Sequence, residues 1–443
     1  MNNIGKVTLN TKESVLQTMP FDESVGGLLF DLTNEQDAFD SYEIIEHYFG
    51  NNQTVLIHNM EEAADCGLVD NGFLHGIPYY HISMFYKYVG KDAELYVTFA
   101  KCSNLNDEPD FSILQEIQMA ANGKIFQLGV WTERYLWEYD AEEITFSPLV
   151  GNIQANIDAI IGGKNNSASE SFPFNVLLTS CTASIKVGND LIQNIDYTKL
   201  PYASAMECEK VSIILGQEGS DKVHEMQTSI FNCTPVGMIG FAIGALCLAS
   251  AELSFANIAN FDLNKNDDIL NPELGFGNVR SDSSDNNYSP MSSIHRIKQN
   301  VISLNGYIIP IGYKPKEAGV FFSSDATLSE GDYSSLTNNR VINKCRRVVR
   351  FILLQYLHGS LIIDPATGKL SATSVAILNS AIIQGLDNYL VNQLGKSQLA
   401  SRVVDVDTDS QILEKDELKV KCIYTPMGTT DKIDFIDSYD LNN

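Results

Sequence analysis

The chain has 443 residues, 44% of them hydrophobic and 19% charged, with a formal net charge of −26. That length spans two or three ordinary domains, and the apolar content excludes a disordered chain. The acidity argues against general nucleic-acid binding and against an anionic membrane surface as partner, and it means that self-assembly would need specific contacts to overcome mutual repulsion.

The opening "MNNIGKVTLNTKES" has no basic stretch followed by an apolar one, so it does not read as a secretory signal. The eight cysteines share no CxxC spacing and mostly lie in apolar runs, which reads as reduced thiols. From residue 27 the chain alternates strand and helix patterns. The strands expected are 27–32, 53–58, 94–100, 124–132, 173–180 and 211–216. Several are continuous apolar runs, as in strands covered on both faces. Between them "DAFDSYEIIEHYFG", "PDFSILQEIQMAANG" and "VGNIQANIDAIIGG" read as helices, the second opening at Pro109-Asp110 and stopping at Gly123. The alternation predicts an α/β fold with a mostly parallel sheet.

The stretch from Cys233 to Ala251 carries no charge, but Gly237, Gly240 and Gly244 recur in it and nothing basic flanks it closely. A buried, closely packed helix is expected rather than a membrane span. Residues 262–290 are rich in Asn, Asp, Ser and Gly and read as a long polar loop. Two short apolar segments follow, then long helices at about 332–358 and 372–394, then terminal strands.

No metal site or cofactor is expected. "VHEMQTS" begins like a zinc-protease helix at His224 and Glu225, but the second histidine's place holds Thr228. Asp262, Asn264, Asn266, Asp268 and Glu273 fall at positions 1, 3, 5, 7 and 12 of a calcium loop. The glycine needed at position 6 is Asp267, so a polar turn is the better reading. There is no phosphate-binding glycine loop and no GxSxG, and no catalytic residue is assigned.

The most informative helix is "NNRVINKCRRVVRFILLQYLHG". Val341, Ile342, Cys345, Val348, Val349, Ile352, Leu353 and Tyr356 form an apolar stripe, while Arg340, Lys344, Arg346, Arg347 and Arg350 put five positive charges within eleven residues. Such a face either is solvated and paired with nearby carboxylates or docks onto an acidic partner. At the end of the chain, Leu418, Val420, Cys422 and Tyr424 alternate with Glu417, Lys419 and Lys421. In Lys432-Ile433-Asp434-Phe435-Ile436, Ile433 and Phe435 alternate with charge, and Lys6-Val7-Thr8-Leu9 shows a similar short pattern near the start. Either terminal arm fits an ordinary edge strand or a strand added to a neighbour's sheet.

Taken in order, these segments resemble contractile-tail sheath proteins of phages and related injection particles. The resemblance is carried by "GVFFSSDAT", a Ser-x-x-Asp-Tyr segment (Ser329, Asp332, Tyr333), the helix opened by "NNRVINKCRR", the "LIIDPATGKL" turn and the terminal "LKVKCIYTPMGTTDKIDFIDS". Upstream, "ILQEIQMAANGKIFQLGVWT", "FNVLLTS", "VSIILGQEGS" and "TPVGMIGFAIGALCLAS" look similar to the same group. The polar 262–290 loop has no counterpart there.

The resemblance implies an N-terminal arm at 1–24, an outer α/β domain at 25–298 inserted into an inner α+β domain completed by 299–425, and a donor arm at 426–443. It implies a virion or injection-particle sheath subunit, assembled in the bacterial cytoplasm. Such subunits form stacked six-fold rings around an inner tube and contract to drive it through a target envelope. The partners would be further copies of the chain, the inner tube protein, and baseplate and terminator proteins, with no membrane insertion. On this view residues 6–9 and 432–436 are donor strands, Leu418, Val420, Cys422 and Tyr424 mark the acceptor strand, and the basic helix face meets the tube or a neighbouring subunit. The rival readings are an α/β nucleotide-binding enzyme, or a non-contractile assembly or baseplate protein sharing the inner domain.

Overall fold

The computed structural model describes residues 22–429 apart from 33–41, 91–92, 102–112, 141–142, 163–171, 181–184, 188–189, 193–195, 230–234, 265–270, 275–290, 292–293, 313–318, 358, 393–396 and 409–417. Most of both terminal arms, including Lys6–Leu9 and Lys432–Ile436, therefore lies outside the described residues, as does most of the polar 262–290 loop.

In chain order the first half runs β1 (Gly26–Leu32), α1 (Glu43–Phe49), β2 (Thr54–Ile57), α2 (Met60–Asp65), α3 (Ile77–Val89), β3 (Leu95–Lys101), α4 (Ile113–Ala120) and β4 (Gln127–Thr132). A small hairpin of β5 (Trp137–Asp140) and β6 (Glu143–Phe146) follows, then α5 (Pro148–Gly162), β7 (Asn175–Ser180), the short β8 (Ile185–Val187) and β9 (Asp190–Ile192), and β10 (Val211–Ile213). The principal sheet has the order β10-β7-β4-β1-β3-β2, with β2 alone antiparallel to its neighbour. The fold is thus α/β with a mostly parallel sheet, as expected.

β1 occupies the middle of the sheet and is buried along its whole length. Its alternate residues explain why the sequence run is continuously apolar. Leu28, Phe30 and Leu32 enter one core with Phe85, Phe99, Trp131 and Ile243, while Leu29 enters the other with Leu114, Val130, Ile153 and Val176.

The second half adds the two-residue strand β11 (Gln217–Glu218), α6 (Asp221–Ser229), α7 (Ile239–Leu248) and β12 (Pro272–Glu273). Then come α8 (Arg296–Leu304), β13 (Pro310–Ile311), β14 (Phe321–Phe322), α9 (Leu336–Leu353), α10 (Ala372–Leu386), β15 (Leu399–Val406) and β16 (Val420–Pro426). α7 is the uncharged glycine-rich segment, and it is the buried helix expected. Residues 239–247 are all buried. A Cβ at Gly240 would stand 2.1 Å from the carbonyl oxygen of His81 in α3, so only glycine permits this approach. No helix among the described residues is long and apolar enough to cross a membrane.

α3 was not anticipated from the sequence. Its residues are apolar on most sides, so no 3.6-residue period stands out, and it packs against α7, which itself lies on β1, β4 and β7. His81 ties the pair together. Its Nδ1 accepts from the Gly240 N–H at 3.3 Å, and its Nε2 donates to the Val236 carbonyl at 2.9 Å.

Residues just past 299, where a division is expected, pack into the two cores of the principal sheet. Ile302, Tyr307, Ile309 and Leu328 lie in one face's core and Ile308 and Phe322 in the other's, and Ile308 bridges Ile214 in parallel beyond β10. Packing changes at α9 instead. Val341, Cys345, Val348, Ile382, Leu386 and Leu399 form a separate core shared by α9, α10 and β15.

Candidate functional site

α9 is built to hold position. Ser335 caps it by accepting from the Asn338 N–H at 3.4 Å. The Asp325 carboxylate accepts from Ser335 Oγ at 2.9 Å, from the Thr337 N–H at 3.2 Å and from Thr337 Oγ1. The apolar stripe meets α10 and β16, as its spacing requires.

The basic side of the helix does not form one outward face. Arg340, Lys344 and Arg347 are 0%, 6% and 1% exposed and point into the α/β body. Arg340 donates to the carbonyls of Leu246 at 2.8 Å, Ala249 at 2.7 Å and Ser250 at 3.3 Å, closing the C-terminal end of α7. Arg347 donates to the carbonyls of Gly123 and Pro173, both at 2.8 Å, and of Ile125, and lies 4.6 Å from the Phe126 ring centre. Burial pushes both guanidinium groups down, Arg347 to about 9. Lys344 pairs with Glu23 at 2.7 Å, and Glu23 also accepts from Gln398 Nε2 and the Ala251 N–H, each at 3.1 Å. Burial alone would raise the Glu23 carboxyl, but Lys344, Arg340 and the Gln398 hydrogen bond together outweigh it and hold the group below its ordinary value.

A fourth cation in this seam, Lys210, gave no signal in the sequence. It is fully buried and donates to Asn339 Oδ1 at 3.0 Å and Asn343 Oδ1 at 3.2 Å, both on α9. Burial, reinforced by Arg346 nearby, pushes its amine down to about 7. Asn339 and Asn343 are spaced one turn apart, which is the only sequence hint that this helix side is a polar interface.

Of the five expected face residues, Arg346 and Arg350 alone reach the surface. They open onto a groove of about 510 Å³ between the second half of α9 and β16, lined also by Val349, Leu353, Leu357, Val420, Cys422 and Tyr424. Arg350 stands 4.7 Å from the Phe172 ring centre.

β15 and β16 pair antiparallel, with Val404 opposite Cys422 and Val403 opposite Ile423. They form a two-stranded sheet, so each keeps one edge with no strand neighbour among the described residues. Val404, Val420, Cys422 and Tyr424 pack inward on the small core, Leu418 packs just before β16, and Val403 and Ile423 stay 55% and 52% exposed on the outer side. Isolated two-stranded ribbons are marginal in water. α9 and α10 support this one on its inner side.

His224 Nε2 meets Glu273 Oε1 at 2.7 Å, and Gln217 donates to the same oxygen at 2.6 Å. Glu273 is thereby held by His224 and Gln217, and no group of three candidate ligands occurs among the described residues.

No described protein family matches the chain by sequence, and neither does any curated protein. Chains of similar structure over the full length occur in solved assemblies, of which two are described. One is the anti-feeding prophage baseplate, six-fold symmetrised, at 11% identity and a TM-score of 0.50, covering 100% of both chains. The other is the PVC sheath complex of an extracellular contractile injection system in its contracted state, at 10% identity and a TM-score of 0.51, covering 100% of this chain and 99% of that one. What is shared is the fold.

Proposed function

We propose that the protein is a structural subunit of a contractile injection particle, and within it a sheath subunit that polymerises by exchanging terminal strands. The observation that carries this reading is the β15–β16 sheet, a two-stranded ribbon whose two edges have no strand neighbour among the described residues, on a chain whose fold matches a sheath-complex subunit end to end. An exposed edge invites strand addition unless it is covered. Both chain ends leave from beside it. Glu23 contacts Gln398, just before β15, and Thr429 follows β16 directly.

In this reading residues 1–24 and 426–443 are arms that add strands to neighbouring copies, holding subunits together while their bodies move. The larger α/β body forms the outer part, and α9, α10 and the hairpin form the part nearest an inner tube. Partners are further copies, a tube protein, and baseplate and terminal components. The role is assembly and force transmission rather than catalysis.

A baseplate subunit is the second reading, because the prophage baseplate chain is matched as completely. Electron microscopy of the purified full chain, alone and with its tube protein, separates them. Long tubes are expected for a sheath and single rings for a baseplate component. Monomers alone, with both arms intact, would overturn strand-exchange polymerisation.

A further inference from the structure

The two ends of the principal sheet carry apolar patches of opposite charge. At the β10 end, α8 buries Ile302 and fixes that side of the helix through Gln299, which donates to the carbonyls of Met291 at 2.8 Å and Ile294 at 3.1 Å. Its other side sets Ile297, Val301 and Leu304 in line at i, i+4 and i+7. Leu304 is 75% exposed and Ile297 66%, more than any other large apolar side chain among the described residues. Exposed Tyr202 stands next to Leu304 in space, because the Ala203 N–H donates to the Asn305 carbonyl at 2.7 Å. A surface helix ordinarily hides its apolar residues on one face, whereas this one shows them on both. The charge around the stripe is positive. Arg296 and Lys298 lie on α8 and Lys199 on the turn packed against it, and the sequence has no carboxylate from 286 to 316.

At the β2 end, α1 and α2 pack on β2 and leave Tyr42, Ile44 and Val69 exposed. Tyr42 meets Phe73 with ring centres 5.6 Å apart, Ile44 lies over Gly67 and Val69 over Gly72, so the three gather on the loop at 67–73. Residues 42–70 hold six carboxylates and no Lys or Arg, and Glu43, Glu46, Glu61 and Asp65 are exposed.

Building on the reading of the chain as a self-assembling subunit, we infer that the α8 stripe of one copy docks on the α1–α2 patch of the next, in a head-to-tail contact between α/β bodies that is separate from the terminal arms. Five strand spacings, roughly 24 Å, part the two ends of the sheet, so one copy cannot close this contact on itself. A two-fold pair would set cations against cations or carboxylates against carboxylates. The charges therefore select the heterologous arrangement, in which every copy offers one patch of each kind. Burial of Ile297, Leu304 and Ile44 supplies the attraction, and the charges supply its direction.

The test is photo-crosslinking in the assembled full chain. Isotope-labelled chain carrying p-benzoylphenylalanine in place of Leu304 is assembled with unlabelled parent chain, irradiated, digested and read by mass spectrometry. The expected product joins the labelled α8 peptide to an unlabelled peptide from 42–73. Crosslinks within one labelled chain, between two α8 peptides, or to other segments only would each overturn the contact. A charge exchange gives a second readout, the protein concentration needed for assembly by light scattering. Glu43→Lys with Glu46→Lys, and separately Lys199→Glu with Leu304→Glu, should each raise it about tenfold, and all four together should restore it. Thermal melting of each unassembled variant checks that the subunit still folds. Four substitutions behaving no better than either pair would overturn the inference. A parent chain that stays monomeric would overturn the self-assembly reading and this contact with it. A parent chain that assembles with its crosslinks elsewhere overturns this contact alone.

Discussion

At the scale of single residues, two of the cations in the seam between α9 and the α/β body, Arg340 and Arg347, meet backbone carbonyls rather than carboxylates. Arg347 reaches carbonyls before β4 and before β7 at once. Arg347→Met keeps most of the volume but strands those acceptors, and should destabilise the subunit by about 2–4 kcal/mol. Arg346→Met, on the same helix but at the surface, should change stability by about 0.5 kcal/mol or less. Urea denaturation of the unassembled chain gives both numbers. His81 makes a separate prediction. Burial holds it neutral down to about pH 3, against an ordinary value of 6.5. Between those values the unfolded chain binds a proton that the folded chain refuses, so stability falls as pH drops through that window, by about 1.4 kcal/mol per unit from this group. His81→Gln should flatten that slope, measured by chemical denaturation at pH 7, 5.5 and 4.5. Lys210 has the same sign at higher pH, its contribution to stability rising as pH climbs from about 7 towards 10.5.

At the scale of elements, α7 and the hairpin face opposite constraints. α7 is enclosed, and its contact with α3 leaves no room at Gly240. Gly240→Val must displace the His81 backbone, and a loss of about 3 kcal/mol or more is expected, seen as a lower thermal midpoint or an insoluble product. The hairpin is closed on its inner side and open at its edges. Deleting residues 430–443 removes nothing from the described core, so the thermal midpoint of the monomer should move by no more than about 2 °C while assembly is lost. A drop in the midpoint as large as that of Gly240→Val would instead place the tail within its own subunit.

At the scale of the whole molecule, a net charge of −26 sets copies against one another. Lowering ionic strength towards about 0.01 M lengthens the screening distance from about 8 Å to about 30 Å, and should raise the concentration needed for assembly. Light scattering across a salt series checks this. Assembly that improves steadily as salt is removed would mean that attraction between opposite charges, not strand pairing, dominates.

How much of this was legible in the sequence differs by physical cause. The central strands were legible because a strand covered on both faces must be apolar throughout, as Leu28–Leu32 and Leu128–Trp131 nearly are. α3 was not, because a helix enclosed on most sides loses the period that marks one. The stripe of α9 was read correctly, but the direction of its charges was not. Arg340 and Arg347 find partners at residues 123–125, 173 and 246–250, and a carbonyl has no identity in a sequence. Lys210 was missed for the same reason, with two asparagines as its partners. The groove beside β16 belongs to this class, since it is created by what the fold leaves unfilled.

Glu23 has a mechanical consequence. It lies three residues before β1 and is fastened to Lys344 on α9, to Gln398 ahead of β15 and to the backbone of Ala251. A pull on the segment preceding Asp22 reaches this knot before it reaches the middle strand of the sheet. Traction between copies would therefore run along the surface into α9 and the hairpin, and the sheet would stay out of the load path. In a single-molecule pulling experiment, Glu23→Ala should lower the force at which β1 is first drawn out, while a pull applied behind Thr429 should register no difference.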